Sequence, residues 1–117
     1  MSLFDSPAAQ PNPAGYKDVS PPDVPVPASG FRLVDVREPH EFVGELGHVP
    51  GATLVPMSAV LAQAMTWDRE EPVLLVCRSG GRSGMVAQAL RRAGFVRVMN
   101  LAGGLLAWNA AGLPVER

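Results

Sequence analysis

The chain has 117 residues, 47% of them hydrophobic, and a formal net charge of −1 from ten Lys and Arg against eleven Asp and Glu. That length suits one domain and buries enough apolar surface to fold without disulfides. Balanced charge with no basic run excludes a nucleic-acid binder that works by neutralising phosphates, and no apolar stretch nears the roughly eighteen residues of a spanning helix, so no membrane role is expected.

The N-terminus, MSLFDSPAAQ, shows neither the basic nor the apolar region of a secretory leader, so the expected compartment is the cytoplasm. Seven of the twelve prolines fall within the first thirty residues. Residues 1–15 therefore read as a proline-rich arm, with the domain proper from 16 to 117 opening on a short strand near Tyr16 to Val19. Phe31 to Val36 reads as a buried strand, followed by a brief helix from Pro39 to Glu45. Ala52 to Val55 is a second short strand. Ser58 caps a helix running to Met65, with Val60, Leu61, Ala64 and Met65 on one face.

Pro72-Val73-Leu74-Leu75-Val76 is the most apolar run, and its unbroken character suits a central parallel strand covered on both faces. A helix fits Ser83 to Ala93, with Arg91 and Arg92 in its last turn and Gly94 ending it. Val96 to Met99 is a strand, and Leu105 to Ala111 a closing helix. Strands alternating with helices predict a three-layer α/β domain with a central parallel sheet of about five short strands.

Cys77 is the only cysteine, which excludes an internal disulfide, a Cys-x-x-Cys pair and a cysteine-built zinc site. His40 and His48 complete no familiar zinc spacing with it, so neither metal nor cofactor is expected. Cys77 is then either a buried structural thiol or a nucleophile. Cys77-Arg78-Ser79-Gly80-Gly81-Arg82-Ser83 joins the most buried strand to a helix start, where ligands of open parallel sheets bind. Two glycines let backbone N–H groups turn inward, and the helix start and both arginines add positive charge. Each element favours the thiolate, and their coincidence favours the nucleophile.

Two chemistries use such a loop. Cysteine phosphatases and the related arsenate reductases place five residues between Cys and Arg, whereas here Arg82 falls one place early and Ser83 takes that position. The shorter loop suits a single sulfur atom carried on Cys77. Of the other conspicuous residues, Asp35 and Arg37 read as supporting, a structural cap or an ion pair, with Glu41 a partner for Arg37 across one helical turn. His48 reads as structural, and Trp67 and Trp108 as packing residues. Asp68 to Glu71 reads as a solvated turn, and Met57, Met65, Met85 and Met99 as core fillers.

Three separated motifs resemble a rhodanese, a sulfurtransferase of the single-domain type. They are Asp35-Val36-Arg37-Glu38-Pro39-His40-Glu41-Phe42 with Gly47-His48-Val49-Pro50-Gly51-Ala52, the Cys77 to Ser83 loop, and Asn100-Leu101-Ala102-Gly103-Gly104-Leu105 through Trp108. Val43-Gly44-Glu45-Leu46 is longer than the two residues many relatives carry before Gly47, which lengthens a loop at the site entrance.

The resemblance implies a ping-pong reaction in which Cys77 takes the outer sulfur of thiosulfate or a persulfide. It then passes that sulfur to cyanide or a thiol. Arg78, Ser79, Gly80, Gly81, Arg82 and Ser83 would bind the substrate, with Arg78 and Arg82 attracting a small anionic donor. The acceptor would be a thiol or a protein, and the protein a monomer. The alternatives are a Cys-dependent phosphatase or arsenate reductase, or a non-catalytic binding or sulfur-carrier module of the same fold within a larger fusion.

Overall fold

The computed structural model describes residues 2–117. Its strands are β1 (Ala9–Pro11), β2 (Lys17–Val19), β3 (Arg32–Asp35), β4 (Thr53–Leu54), β5 (Val73–Val76) and β6 (Val98–Leu101). Its α-helices are α1 (Pro39–Phe42), α2 (Met57–Ala64), α3 (Gly81–Arg92) and α4 (Gly104–Ala110). The strands form one sheet in the order β1-β2-β6-β5-β3-β4, parallel throughout except for the β1–β2 pair.

Every residue of β5 is fully buried, because its alternate side chains enter two different cores. Val73 and Leu75 pack with Val34, Val60, Val86, Leu90 and Phe95 on one face of the sheet. Leu74 and Val76 pack with Val19, Leu33, Met99, Leu101 and Trp108 on the other. A strand covered on both faces has no polar side to alternate with, which is why its sequence is an unbroken apolar run. The expected three-layer α/β architecture is therefore present.

The sheet has six strands rather than five. The addition is β1, contributed by the proline-rich segment, with Ala9 opposite Val19 and Pro11 opposite Lys17. Proline lacks the N–H of a sheet ladder, and a three-residue strand at the edge is where it is tolerated. Lys17 ties the same segment down by donating to the Phe4 carbonyl at 2.8 Å, with its ammonium over the Phe4 ring.

Several boundaries and burials differ from expectation. β6 begins at Val98 rather than Val96, which is exposed, so Asn100 lies inside the strand. α3 begins at Gly81 rather than Ser83, and α1 ends at Phe42 rather than Glu45. Ser58 makes no cap, since Pro56 holds that position on α2. α2 has only eight residues and buries a single stripe, Val60 and Ala64, leaving Leu61 and Met65 in solvent. Met85 is exposed too, while Met99 is fully buried.

The turn at 68–71 is solvated at Asp68 and Glu70, as expected, but Arg69 and Glu71 tie it down. Arg69 donates to the Ala64, Trp67 and Ala93 carbonyls, and Glu71 pairs with Arg32 at 2.6 Å. Trp67 and Trp108 are buried as expected, and the Trp108 indole donates to the Pro114 carbonyl at 2.8 Å.

The connections place the site. From β3 the chain crosses to β4 at one edge; from β5 it crosses to β6 on the other side. The crevice between the carboxyl ends of β3 and β5 is thus a topological switch point, the place where open α/β sheets bind ligands. Asp35 ends β3, and Cys77 directly follows β5.

Candidate active site

Cys77 leaves β5 with its side chain at the floor of this crevice, 1% exposed. Gly80, with φ +102°, turns the backbone back so that its N–H donates to Cys77 Sγ at 3.0 Å. Only glycine enters that backbone region readily, so the loop depends on Gly80. The Ser83 hydroxyl, in the first turn of α3, lies 3.3 Å from the same sulfur. The N–H groups of Ser79 and Ser83 face it as well. Burial pushes the Cys77 thiol up, but the Ser83 hydroxyl and the three N–H groups outweigh burial and hold it below its ordinary value of 9.0.

The loop is clamped from behind. Leu105 and Leu106, in the first turn of α4, donate to the Cys77 and Arg78 carbonyls, each at 3.0 Å. Gly104 allows this approach, since a Cβ there would come within 2.5 Å of both carbonyl oxygens.

Asn100 is a site residue that the sequence reading passed over, and it supports the loop from β6. Its Oδ1 accepts from the Ser83 hydroxyl, and its Nδ2 donates to the Gly80 carbonyl at 3.2 Å. Ser83 has one hydroxyl proton and two acceptors in reach, Cys77 Sγ and Asn100 Oδ1. The available signal was a lone polar side chain within the apolar stretch Val98 to Leu101.

The arginines divide differently from expectation. Arg37 does not pair with Glu41. Its guanidinium grips Asp35 through Nε at 2.9 Å and Nη2 at 2.8 Å, and Nη2 also donates to the Gly47 carbonyl at 2.7 Å. Both residues are buried, so the pair is a structural brace fixing the chain between β3 and Gly47. Glu41 instead holds Arg82, with Nη1–Oε2 at 2.8 Å and Nη2–Oε1 at 2.7 Å. The Arg82 hydrogen bonds push the Glu41 carboxyl down to about 2, against an opposing effect of burial and with help from the Glu38 N–H.

Glu41 is fixed from its own helix too, because the Glu38 N–H donates to Oε2 at 2.9 Å in a capping box. His48 is structural: Nδ1 meets the Phe42 carbonyl at 2.8 Å, and the ring stacks on Phe42 with centroids 3.7 Å apart.

A cleft of about 460 Å³ opens beside the loop, lined by Arg37, His40, Glu41, Glu45, Leu46 and Arg78 among others. Gly44, Glu45 and Leu46 of the long segment before Gly47 line this cleft. Cys77 itself does not line this cleft; Arg78 is the loop residue that does. Among the described residues no three His, Cys, Asp or Glu side chains come together as a metal-holding group, and no helix is long and apolar enough to cross a membrane.

The family model "Rhodanese-like domain" matches residues 24–111. The chain is 46% identical over 85 residues to an uncharacterized protein of Synechocystis, covering 73% of this chain and 46% of that protein. It thus spans about half the length of that relative. It is 37% identical over 83 residues to a sulfurtransferase of Allochromatium vinosum, covering 71% of this chain and 76% of the relative. Among solved structures, a rhodanese-like domain protein of Staphylococcus aureus superposes with a TM-score of 0.70 at 26% identity, covering 86% of this chain and 98% of that one.

Proposed function

Because the chain belongs to the rhodanese-like domain family, we propose that it is a sulfurtransferase that carries a sulfane sulfur as a persulfide on Cys77. In the first half-reaction the Cys77 thiolate attacks the outer sulfur of the donor. An S–S bond forms to Cys77 as the donor's own bond to that sulfur breaks, and the electron pair leaves with the donor remnant. Thiosulfate departs as sulfite, and a thiol-borne persulfide as its thiolate. In the second half-reaction a nucleophile, cyanide or a thiolate, attacks the terminal sulfur, and Cys77 returns as thiolate. A nucleophile already ionised needs no general base.

The observation that carries this reading is the convergence of donors on the sulfur itself. Gly80 N–H and the Ser83 hydroxyl aim at Cys77 Sγ. A phosphatase cradle would instead direct its N–H groups at oxygens held beyond the sulfur. The sulfurtransferase relative from Allochromatium supports the same class of chemistry.

Mass spectrometry of the intact protein after thiosulfate treatment tests the reading. One added sulfur is expected, mapped to Cys77 and discharged by cyanide or a thiol. Cys77→Ser should show no adduct and no transfer. Substantial transfer by the serine variant would overturn the mechanism.

A further inference from the structure

Four arginines stand around the crevice and its cleft: Arg37 and Arg82 have their charge already matched, Arg117 donates to the Gly44 and Glu45 carbonyls at the cleft rim, and Arg78 is the fourth. Arg37 is buried against Asp35. Arg82 has both arms of its guanidinium fork on the two oxygens of Glu41. Arg78 alone has neither an ion pair nor a side-chain hydrogen bond among the described residues, and it lines the cleft together with a further carboxylate, Glu45. Cancelling the matched pairs leaves Arg78 and Arg117 against Glu45 and the Cys77 thiolate. A dianion approaching the sulfur meets no surplus of formal positive charge, and the Arg82 fork, suited to paired oxygens, is occupied.

We propose that Glu41 is a donor-selectivity residue: by occupying Arg82, it biases the site away from dianionic thiosulfate and toward donors whose sulfane sulfur carries a single charge, such as a thiol-borne persulfide. The proposal rests on the sulfur-transfer reading above and deepens it. Glu41 acts through Arg82 and does not touch the donor.

Two features keep the clamp closed. The Glu41 carboxylate is anchored by the Glu38 N–H as well as by Arg82, so it does not swing freely with its own side chain. It also stays ionised throughout the neutral range, with its carboxyl held at about 2. A thiosulfate that recruited Arg82 would have to displace a fixed, bidentate carboxylate.

The test compares two donors that differ by one charge. Thiosulfate, a dianion, releases sulfite; benzenethiosulfonate, a monoanion, releases benzenesulfinate; each leaves one sulfur on Cys77. The perturbation is Glu41→Gln, which frees Arg82 while keeping a residue type able to complete the helix cap. The ratio of kcat/KM for thiosulfate over benzenethiosulfonate should rise about tenfold in the variant, chiefly through a lower KM for thiosulfate. Thiosulfate use should also become salt-sensitive, falling as ionic strength rises, where the native protein responds weakly.

The double variant Glu41→Gln/Arg82→Gln, with the same net charge as the native protein, should return the ratio to its native value. An unchanged ratio in Glu41→Gln, or a raised ratio that survives in the double variant, overturns the proposal. In both cases the sulfur adduct on Cys77 still forms. If neither donor adds sulfur to Cys77 in the native protein, the sulfur-transfer reading itself fails, and the proposal with it.

Discussion

Replacing Ser83 with Ala removes the hydroxyl 3.3 Å from Cys77 Sγ and leaves the backbone donors of the loop in place. A hydrogen bond to a charged group contributes about 1.5–3 kcal/mol. The low end applies here, because the single Ser83 proton is divided between Sγ and Asn100 Oδ1. About 1.5 kcal/mol corresponds to roughly a tenfold change in the thiolate fraction on the acid side of the transition.

Alkylation of Cys77 by iodoacetamide, followed by mass across a pH series, reads that fraction directly. The rate at low pH should fall about tenfold, and the whole profile should move to higher pH with its alkaline plateau kept. Stability should follow the same sign. The native thiol ionises below its ordinary value of 9.0, so ionisation stabilises the fold above that value, and the contribution fades as pH falls through the native transition. Ser83→Ala narrows the gap and shrinks this alkaline stabilisation. Superposable alkylation profiles for the two proteins would refute the reasoning, since the N–H groups alone would then be holding the thiolate.

Asn100→Leu should move the same profile in the opposite direction, to lower pH, because the Ser83 proton then has only the sulfur to serve; a shift to higher pH would sink the idea of a shared proton. Asp35→Ala should cost about 3–5 kcal/mol in urea unfolding, since it leaves the Arg37 guanidinium buried without its counter-charge. A loss under about 1 kcal/mol would mean that the Gly47 carbonyl is partner enough.

Much of the fold was legible because burial on two faces writes itself into sequence: Val73 to Val76 can only be a central strand. The place of the Cys77 loop followed from that strand and the glycines after it. Short-range geometry was harder to read. Arg37 and Glu41 stand four apart, the spacing of a helical pair, but α1 begins only at Pro39, so Arg37 is not on the helix and the spacing rule does not apply. Two positions from Arg37, Asp35 could reach it from the strand end instead.

The role of Asn100 was hidden by register. With β6 placed two residues early, Asn100 fell outside the strand, and a buried polar group in a central strand went unremarked. β1 was invisible for another reason: three residues, one of them a proline, carry no period to detect.

The same register of contacts changes the electrostatic account of Cys77. In the sequence, the inward-turned N–H groups, the helix start and the two arginines Arg78 and Arg82 all favour the thiolate, with no order among them. In the folded protein the sulfur is held by uncharged donors, the Ser83 hydroxyl and the N–H groups of Ser79, Gly80 and Ser83. Arg82 is drawn toward Glu41. Such donors act at contact distance and are mounted on the loop, so they hold the charge without a formal positive charge of their own. A long-range field would attract every small anion equally well. Contact donors favour only an atom that fits against them, and one sulfur fits here. On the proposed sulfur-transfer reading, thiolate activation and donor attraction would therefore be separate devices, the first built by the loop backbone and Ser83, the second set by how Glu41 and Asp35 match Arg82 and Arg37.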